Sequence, residues 1–136
     1  MQIIHSILQP ALVLAIHYKP EDSSLERRNL SETEDLLQIG VRILPEKFQV
    51  APHRHLSLAN ARSGAIQEVW ILIKGTAMAK IFDLDDSFIC DIQMELGDLL
   101  TYKNGGHSLI NHDAQSILYE VKSGPYLGPA NDRERF

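Results

Sequence analysis

From Leu36 onward the chain runs as short stretches of apolar and β-branched residues, broken at close intervals by Gly, Pro, Asn or Asp. Side chains alternate between the two faces of a strand, so runs of this length bounded by turn residues predict strands. Leu36 to Leu44 is one such run, ended by Pro45-Glu46, and Phe48 to His55 is the next. A polar stretch, Ser57 to Gly64, interrupts. Ile66 to Ile73 is rich in β-formers, Lys74-Gly75 makes a turn, and Thr76 to Phe82 pairs back. Asp83-Leu84-Asp85-Asp86 is a hairpin turn before Ser87 to Met94. After Leu96-Gly97-Asp98, Leu99 to Tyr102 leads into Asn104-Gly105-Gly106, a strong turn signal. His107 to Asn111 and Gln115 to Lys122 complete the series. Many short strands at roughly 8–12-residue spacing predict an all-β antiparallel sandwich or small barrel.

The part before Leu36 differs. Lys19 to Asp35 is the most polar segment, and Pro20-Glu21-Asp22-Ser23-Ser24 reads as a loop. Ser31 and Glu34 have capping-box spacing, which predicts one short helical turn. Ala11 to Ile16 is apolar, but it follows Pro10 and has no lysine or arginine before it. A signal peptide needs a charged start and a longer apolar core, and a membrane helix needs about 20 residues. The segment is therefore read as a buried strand, and the protein as cytoplasmic. The chain shows no repeat and no linker, so residues 1–136 are expected to form a single domain.

Composition narrows the function classes. Apolar residues make up 44% of the 136 positions, enough for one packed core. The net charge is -5, with no basic stripe, which argues against nucleic-acid binding. The two basic spots, Arg27-Arg28 and Arg133 to Arg135, lie beside acids and read as solvated surface. The single cysteine, Cys90, sits in a strand-like run and reads as a small buried apolar residue. Asp83, Asp85 and Asp86 lack the spaced glutamate of a calcium loop and are assigned to the turn.

The chemistry is concentrated in Pro52-His53-Arg54-His55. Two histidines one residue apart on a strand share a face, while Arg54 points away. Glu68 and His107 lie in other predicted strands, and a barrel can bring all four together. Three imidazoles and a carboxylate suit one divalent transition metal: iron, manganese, nickel, zinc, cobalt or copper. Four protein ligands leave positions open for a bound molecule. His5, His17 and His112 fit no such pattern.

These residues resemble the cupin superfamily. Its first motif has His-x-His followed by a glutamate, six residues and a glycine. Here Glu68 precedes Val69 to Lys74 and Gly75. Its second motif runs from a glycine to a histidine, with an asparagine four positions later. Gly97, His107 and Asn111 match it. Twelve residues separate His55 from Glu68, where the family has three or four, and Lys103 stands in place of the motif proline. The long gap reads as an inserted hairpin tip, Leu56 to Ala65. The resemblance covers about residues 36–122. It implies a cupin-type double-stranded β-helix, or jelly-roll barrel, with metal ligands His53, His55, Glu68 and His107. Tyr119 to Tyr126, with Asn104 to His107, is similar to a group of small single-domain cupins encoded beside surface-polysaccharide genes.

The resemblance implies a metal-dependent enzyme acting on a small polar molecule such as a sugar derivative, of isomerase, epimerase or dioxygenase type. The alternative is a non-catalytic cupin that binds or senses a small ligand. Glu68 is either a ligand or a base beside the metal. Trp70 shares the face of Glu68 and, with Tyr102, is a candidate for the pocket wall or the core. Arg42 interrupts an apolar strand. It either holds an anionic group inside the barrel or marks a solvent face. A homodimer is expected, because the apolar N-terminal segment is too hydrophobic for an exposed edge.

Overall fold

The structure, a computed structural model, describes residues 1–20, 26–56 and 66–136. The hairpin tip expected between Leu56 and Ala65, and most of the loop after Pro20, fall outside the described residues.

Two hairpin strands, β1 (Gln2–His5) and β2 (Val13–His17), come first. The barrel strands follow: β3 (Arg27–Asn29), β4 (Leu37–Pro45), β5 (Gln49–His55), β6 (Glu68–Lys74), β7 (Ala77–Phe82) and β8 (Phe88–Met94). Then come β9 (Leu99–Tyr102), β10 (Gly106–Ile110) and β11 (Gln115–Ser123). A one-turn helix, α1 (Pro129–Asp132), and β12 (Arg133–Arg135) end the chain. Eight of these strands match the runs read from the sequence to within about two residues, because each run is bounded by its own turn chemistry.

The barrel strands form two antiparallel five-stranded sheets, ordered β12-β5-β10-β7-β8 and β3-β4-β11-β6-β9. Pairing strands from distant parts of the chain is what a jelly roll requires. Inward positions alternate as the pleat dictates. Leu44, Leu72, Ala79, Met94, Leu109 and Leu118 close one end of the interior as a fully apolar layer. Trp70 and Tyr102 cap it and carry the interior towards polar residues. Leu118 is wholly buried on the central strand β11. Leu118→Ala is expected to cost about 2–5 kcal/mol of stability, measured by denaturant unfolding.

Two turns show why glycine is needed. Gly75 has φ 73°, and a Cβ there would lie 2.3 Å from the Ser116 hydroxyl oxygen. Gly105 has φ 76°, with the Phe82 carbonyl oxygen 2.5 Å from where a Cβ would sit. Asn111 pins the apolar end from within. Its amide donates to the carbonyls of Leu44 and Pro45, at 2.8 Å each, and of Asp113 at 3.0 Å. Its side-chain oxygen accepts from the Ser116 hydroxyl at 2.9 Å.

Several expectations are corrected. The N-terminal apolar segment is a strand, but an exposed one: among the described residues β2 pairs only with β1, in a separate two-stranded sheet. No helical turn forms at Ser31. Its hydroxyl instead accepts the Ile39 N–H at 2.7 Å, and Asp35 rather than Glu34 accepts the N–H of Glu32. Cys90 is exposed: it lies on β8, the outer strand of its sheet, outside the stretch where Ile92 and Met94 reach the core. The two basic spots lie at the surface in part, as Arg135 does, but each also sends one arginine to the cavity. Arg27 and Arg133 line the interior, and β12 pairs with β5. Among the described residues, no helix is long and apolar enough to cross a membrane.

Candidate metal centre

Strand β5 carries His53 and His55, and β10 sets His107 directly opposite His53. A bulge makes this possible. Between His107 and Leu109 on β10 there is one residue, while between His53 and Val50 on β5 there are two. The extra residue shifts the phase of β5, so that Val50 packs on the apolar core while His53 still faces inward. Glu68 opens β6 on the facing sheet, flanked by Lys122 of β11 and Tyr102 of β9.

The structure brings all four residues together. One ligand atom from each of His53, His55, Glu68 and His107 lies within 4.8 Å of every other. Glu68 Oε2 is 2.5 Å from His55 Nε2 and 3.2 Å from His107 Nε2. Its other oxygen, Oε1, accepts the Trp70 Nε1–H at 2.7 Å. The carboxylate is thereby fixed with one oxygen for the indole and one for the histidines. The ring of His53 is held by the Ala51 carbonyl, 2.9 Å from Nδ1, and that of His55 by the Asp132 carbonyl, 3.2 Å from Nδ1. A carbonyl can only accept, so each Nδ1 carries a proton; the Nε2 of His53 keeps its lone pair, while that of His55 donates to Glu68 and would give up that proton to a bound metal.

Burial and charge set the protonation of the cluster. Burial, with the nearby His107, pulls His53 down to about 4, so its imidazole is neutral at pH 7. Burial pushes Glu68 upward, but the close approach of His107 and His55 to its Oε2 outweighs it and holds the carboxyl well below the usual range. Burial alone would lower His55, but the hydrogen bond and charge of Glu68 raise it instead.

The residues present fit a divalent metal. His107 Nε2 is buried and makes no hydrogen bond, which is costly for a polar nitrogen unless something else engages it. It faces the same carboxylate oxygen that His55 faces, and the donor set is three imidazoles and one carboxylate. The four residues singled out in the sequence therefore lie together, and each offers one ligand atom to a common ion.

The pocket residues also gather here. A cavity of about 280 Å³ is lined by His53, His55, Glu68, Trp70 and Arg42, among others. Trp70 is both core and wall. It packs on Tyr102 with ring centroids 4.7 Å apart, and on His107 at 5.1 Å. Tyr102 is stacked on His107 at 4.0 Å and lines a second cavity of about 180 Å³ that shares His55 with the first. Burial, then the charge of Glu68, raises its phenol, so it stays protonated. Arg42 lies inside, not on a solvent face, and is ion-paired to Glu120. His5, His17 and His112 are exposed and remote from the cluster's motif.

Four further residues complete the site: Arg27, Glu120, Lys122 and Asp132. Glu120 is buried and accepts from Arg42 Nε and, at 2.7 Å, from Arg27. Lys122 Nζ is 2.5 Å from Asp132 Oδ1, with both side chains buried. Buried ion pairs of this kind seldom raise stability over an apolar alternative. The available signal was phase: Glu120 and Lys122 share the inward face of β11 with Leu118, where an apolar residue is the rule. Asp132 gives no such signal, since it depends on the fold of the tail.

No protein-family profile matches the chain, and no curated protein sequence matches it. Solved structures do. A cupin superfamily protein from Desulfitobacterium hafniense aligns with TM-score 0.54 at 12% identity, covering 71% of this chain and 74% of that one. The capsular polysaccharide assembling protein CapF from Staphylococcus aureus aligns with TM-score 0.66 at 15% identity, covering 81% of this chain and 29% of that one. An oxalate decarboxylase from B. subtilis aligns with TM-score 0.61 at 16% identity, covering 81% of this chain and 28% of that one. The chain thus spans less than a third of the last two proteins. Identities this low speak for the fold alone: the chain has the jelly-roll fold seen in these cupin structures.

Proposed function

We propose that the protein is a metal-dependent enzyme acting on a small polar molecule such as a sugar derivative. The observation that carries this is the buried, unpaired His107 Nε2 among three other ligand atoms, beside a cavity with a polar wall. His53, His55, Glu68 and His107 would hold the metal, which would act as a Lewis acid on substrate oxygens. The chain's own contribution is to fix two imidazole tautomers through backbone carbonyls, aim Glu68 through Trp70, and keep the site dry. The oxalate decarboxylase and an oxalate oxidase among the structural neighbours are enzymes on this fold, which raises the prior by analogy only.

A second reading, a ligand-binding module, is favoured by one observation. Each carboxylate lining the cavity is already engaged: Glu68 by histidines, Glu120 by two arginines, Asp132 by Lys122. Among the described residues, none of them stands free as a base. The test is elemental analysis of protein purified without added metal, followed by NMR in D2O with aldoses, ketoses and sugar acids. Stoichiometric metal with C–H exchange or product formation is expected. Metal without turnover or oxygen uptake would favour the binding module, and absence of metal would remove both readings.

A cytoplasmic homodimer completes the proposal. The β1–β2 hairpin carries Ile3, Ile4, Val13, Leu14 and Ile16, each at least 40% exposed, and among the described residues pairs with no other strand. A lone two-stranded hairpin is marginal in water. It holds no acid, lysine or arginine before Lys19, so another apolar surface suits it better than solvent. Exchange of hairpins between two copies would cover both, towards the ~800 Å² per partner of a stable interface. Sedimentation at micromolar concentration should give a dimer, and removal of residues 1–18 a monomer. A 15.3 kDa species from the intact chain would contradict this.

A further inference from the structure

We infer that the cavity beside the metal centre takes a small carboxylic acid, its carboxylate held by Arg42 and Arg27 while its other oxygens face the metal. The inference rests on the reading of the four-residue cluster as a metal site.

The inward face of the sheet places these groups in rows. Lys122 is opposite Glu68, Glu120 is opposite Trp70 on one side and Gly40 on the other, and Arg42 is opposite Leu118. Gly40 leaves the interior open at its row. A Cβ there would come within 3.7 Å of the Arg27 guanidinium and of the Asn29 side-chain oxygen. Arg27, standing across from Arg42 on β3, therefore reaches in over Gly40 to the same carboxylate that Arg42 binds. Two guanidinium groups converge on one buried acid.

The charge balance leaves a deficit. Among the described residues, the cavity is lined by four cations, Arg27, Arg42, Lys122 and Arg133, and three carboxylates, Glu68, Glu120 and Asp132. The wall is thus positive by one charge before a metal adds its own. Arg42 uses Nε for Glu120, and its planar fork has further donors suited to a carboxylate. Asp132 binds Lys122, so the arginine end is where the surplus lies. A cavity of about 280 Å³ sits at the small end of ligand pockets, which fits a compact acid, including a sugar acid. Glu120 then acts as a resident anion that holds the two arginines in place when no ligand is bound.

This predicts opposite effects from two substitutions. Arg42→Gln removes a charge-assisted contact, while Glu120→Gln removes the competing anion. Calorimetric titration of Mn(II)-loaded protein would use glycolate, malonate and gluconate, with sorbitol as the uncharged match for gluconate. At least one acid should bind, and gluconate should bind at least ~10-fold more tightly than sorbitol. Arg42→Gln, and Arg27→Ala at the more exposed rim, should weaken the best acid by ~10-fold, with metal content unchanged. Glu120→Gln should tighten it. Equal binding of sorbitol, no binding by any acid, or weaker binding by Glu120→Gln with metal retained would overturn the inference. Failure of the wild type to take up Mn(II) would instead overturn the metal reading. Thermal unfolding of each variant checks that it is folded.

Discussion

His53→Ala, His55→Ala and His107→Ala proteins are each expected to purify with little metal, their affinity lowered by more than ~100-fold. Loss of a residue that merely orients a ligand already costs about 10–100-fold, and these substitutions remove the ligand itself. Among the described residues, no nearby group can substitute. The other acids facing the cavity are tied to Arg27, Arg42 and Lys122. Among the described residues, the second cavity offers only Lys103, Arg54, Asn104 and the phenol of Tyr102 as polar side chains besides His55 and His107. Circular dichroism should show the same strand content in each variant, because the apolar layer from Leu44 to Leu118 lies on other positions. Elemental analysis is the measurement. Undiminished metal in His53→Ala and His55→Ala together would end the assignment.

Much of the barrel was legible because its strands are short and each is closed by a residue with one backbone role. Gly75 and Gly105 need positive φ, and Pro45 ends β4. The His53 and His55 pair was legible because a period of two is fixed by the pleat. The bulge that lets Val50 and His53 face the same interior was not, since an extra residue leaves no compositional trace. The twelve residues before Glu68 left open whether it is a ligand or a base, although its spacing to Gly75 pointed the carboxylate inward, where its pairing with Tyr102 and Lys122 sets it. Arg27, Arg133 and Asp132 were out of reach for another reason. Their roles depend on strands far away in sequence: Arg27 meets Glu120, and the tail returns to pair Arg133 with His55. A charged residue beside other charged residues reads as surface until such a pairing encloses it. The exposed hairpin and exposed Cys90 erred the opposite way, because an apolar run fixes a strand but not what covers it.

Glu68→Gln is expected to lose metal nearly as fully as the histidine variants, and the reason lies in Trp70. The indole N–H is buried and needs an acceptor, which Glu68 Oε1 supplies at 2.7 Å. An amide has one oxygen. In Glu68→Gln the indole claims it, and the NH2 group then faces His55 Nε2 and His107 Nε2. Those nitrogens would accept hydrogen bonds from the amide and lose the lone pairs a metal needs. The variant should therefore be stably folded but metal-poor. Trp70→Phe removes the claim on the oxygen, so in the double variant the amide is free to turn its oxygen inward. Metal affinity should recover partly there, by about tenfold over Glu68→Gln alone, the equivalent of one hydrogen bond of roughly 1.4 kcal/mol. Metal titration of the two variants, followed by spectroscopy of the bound ion, measures it. A Glu68→Gln protein with full metal content and an unaltered metal spectrum would show that Glu68 stands beside the ion as a base and does not bind it.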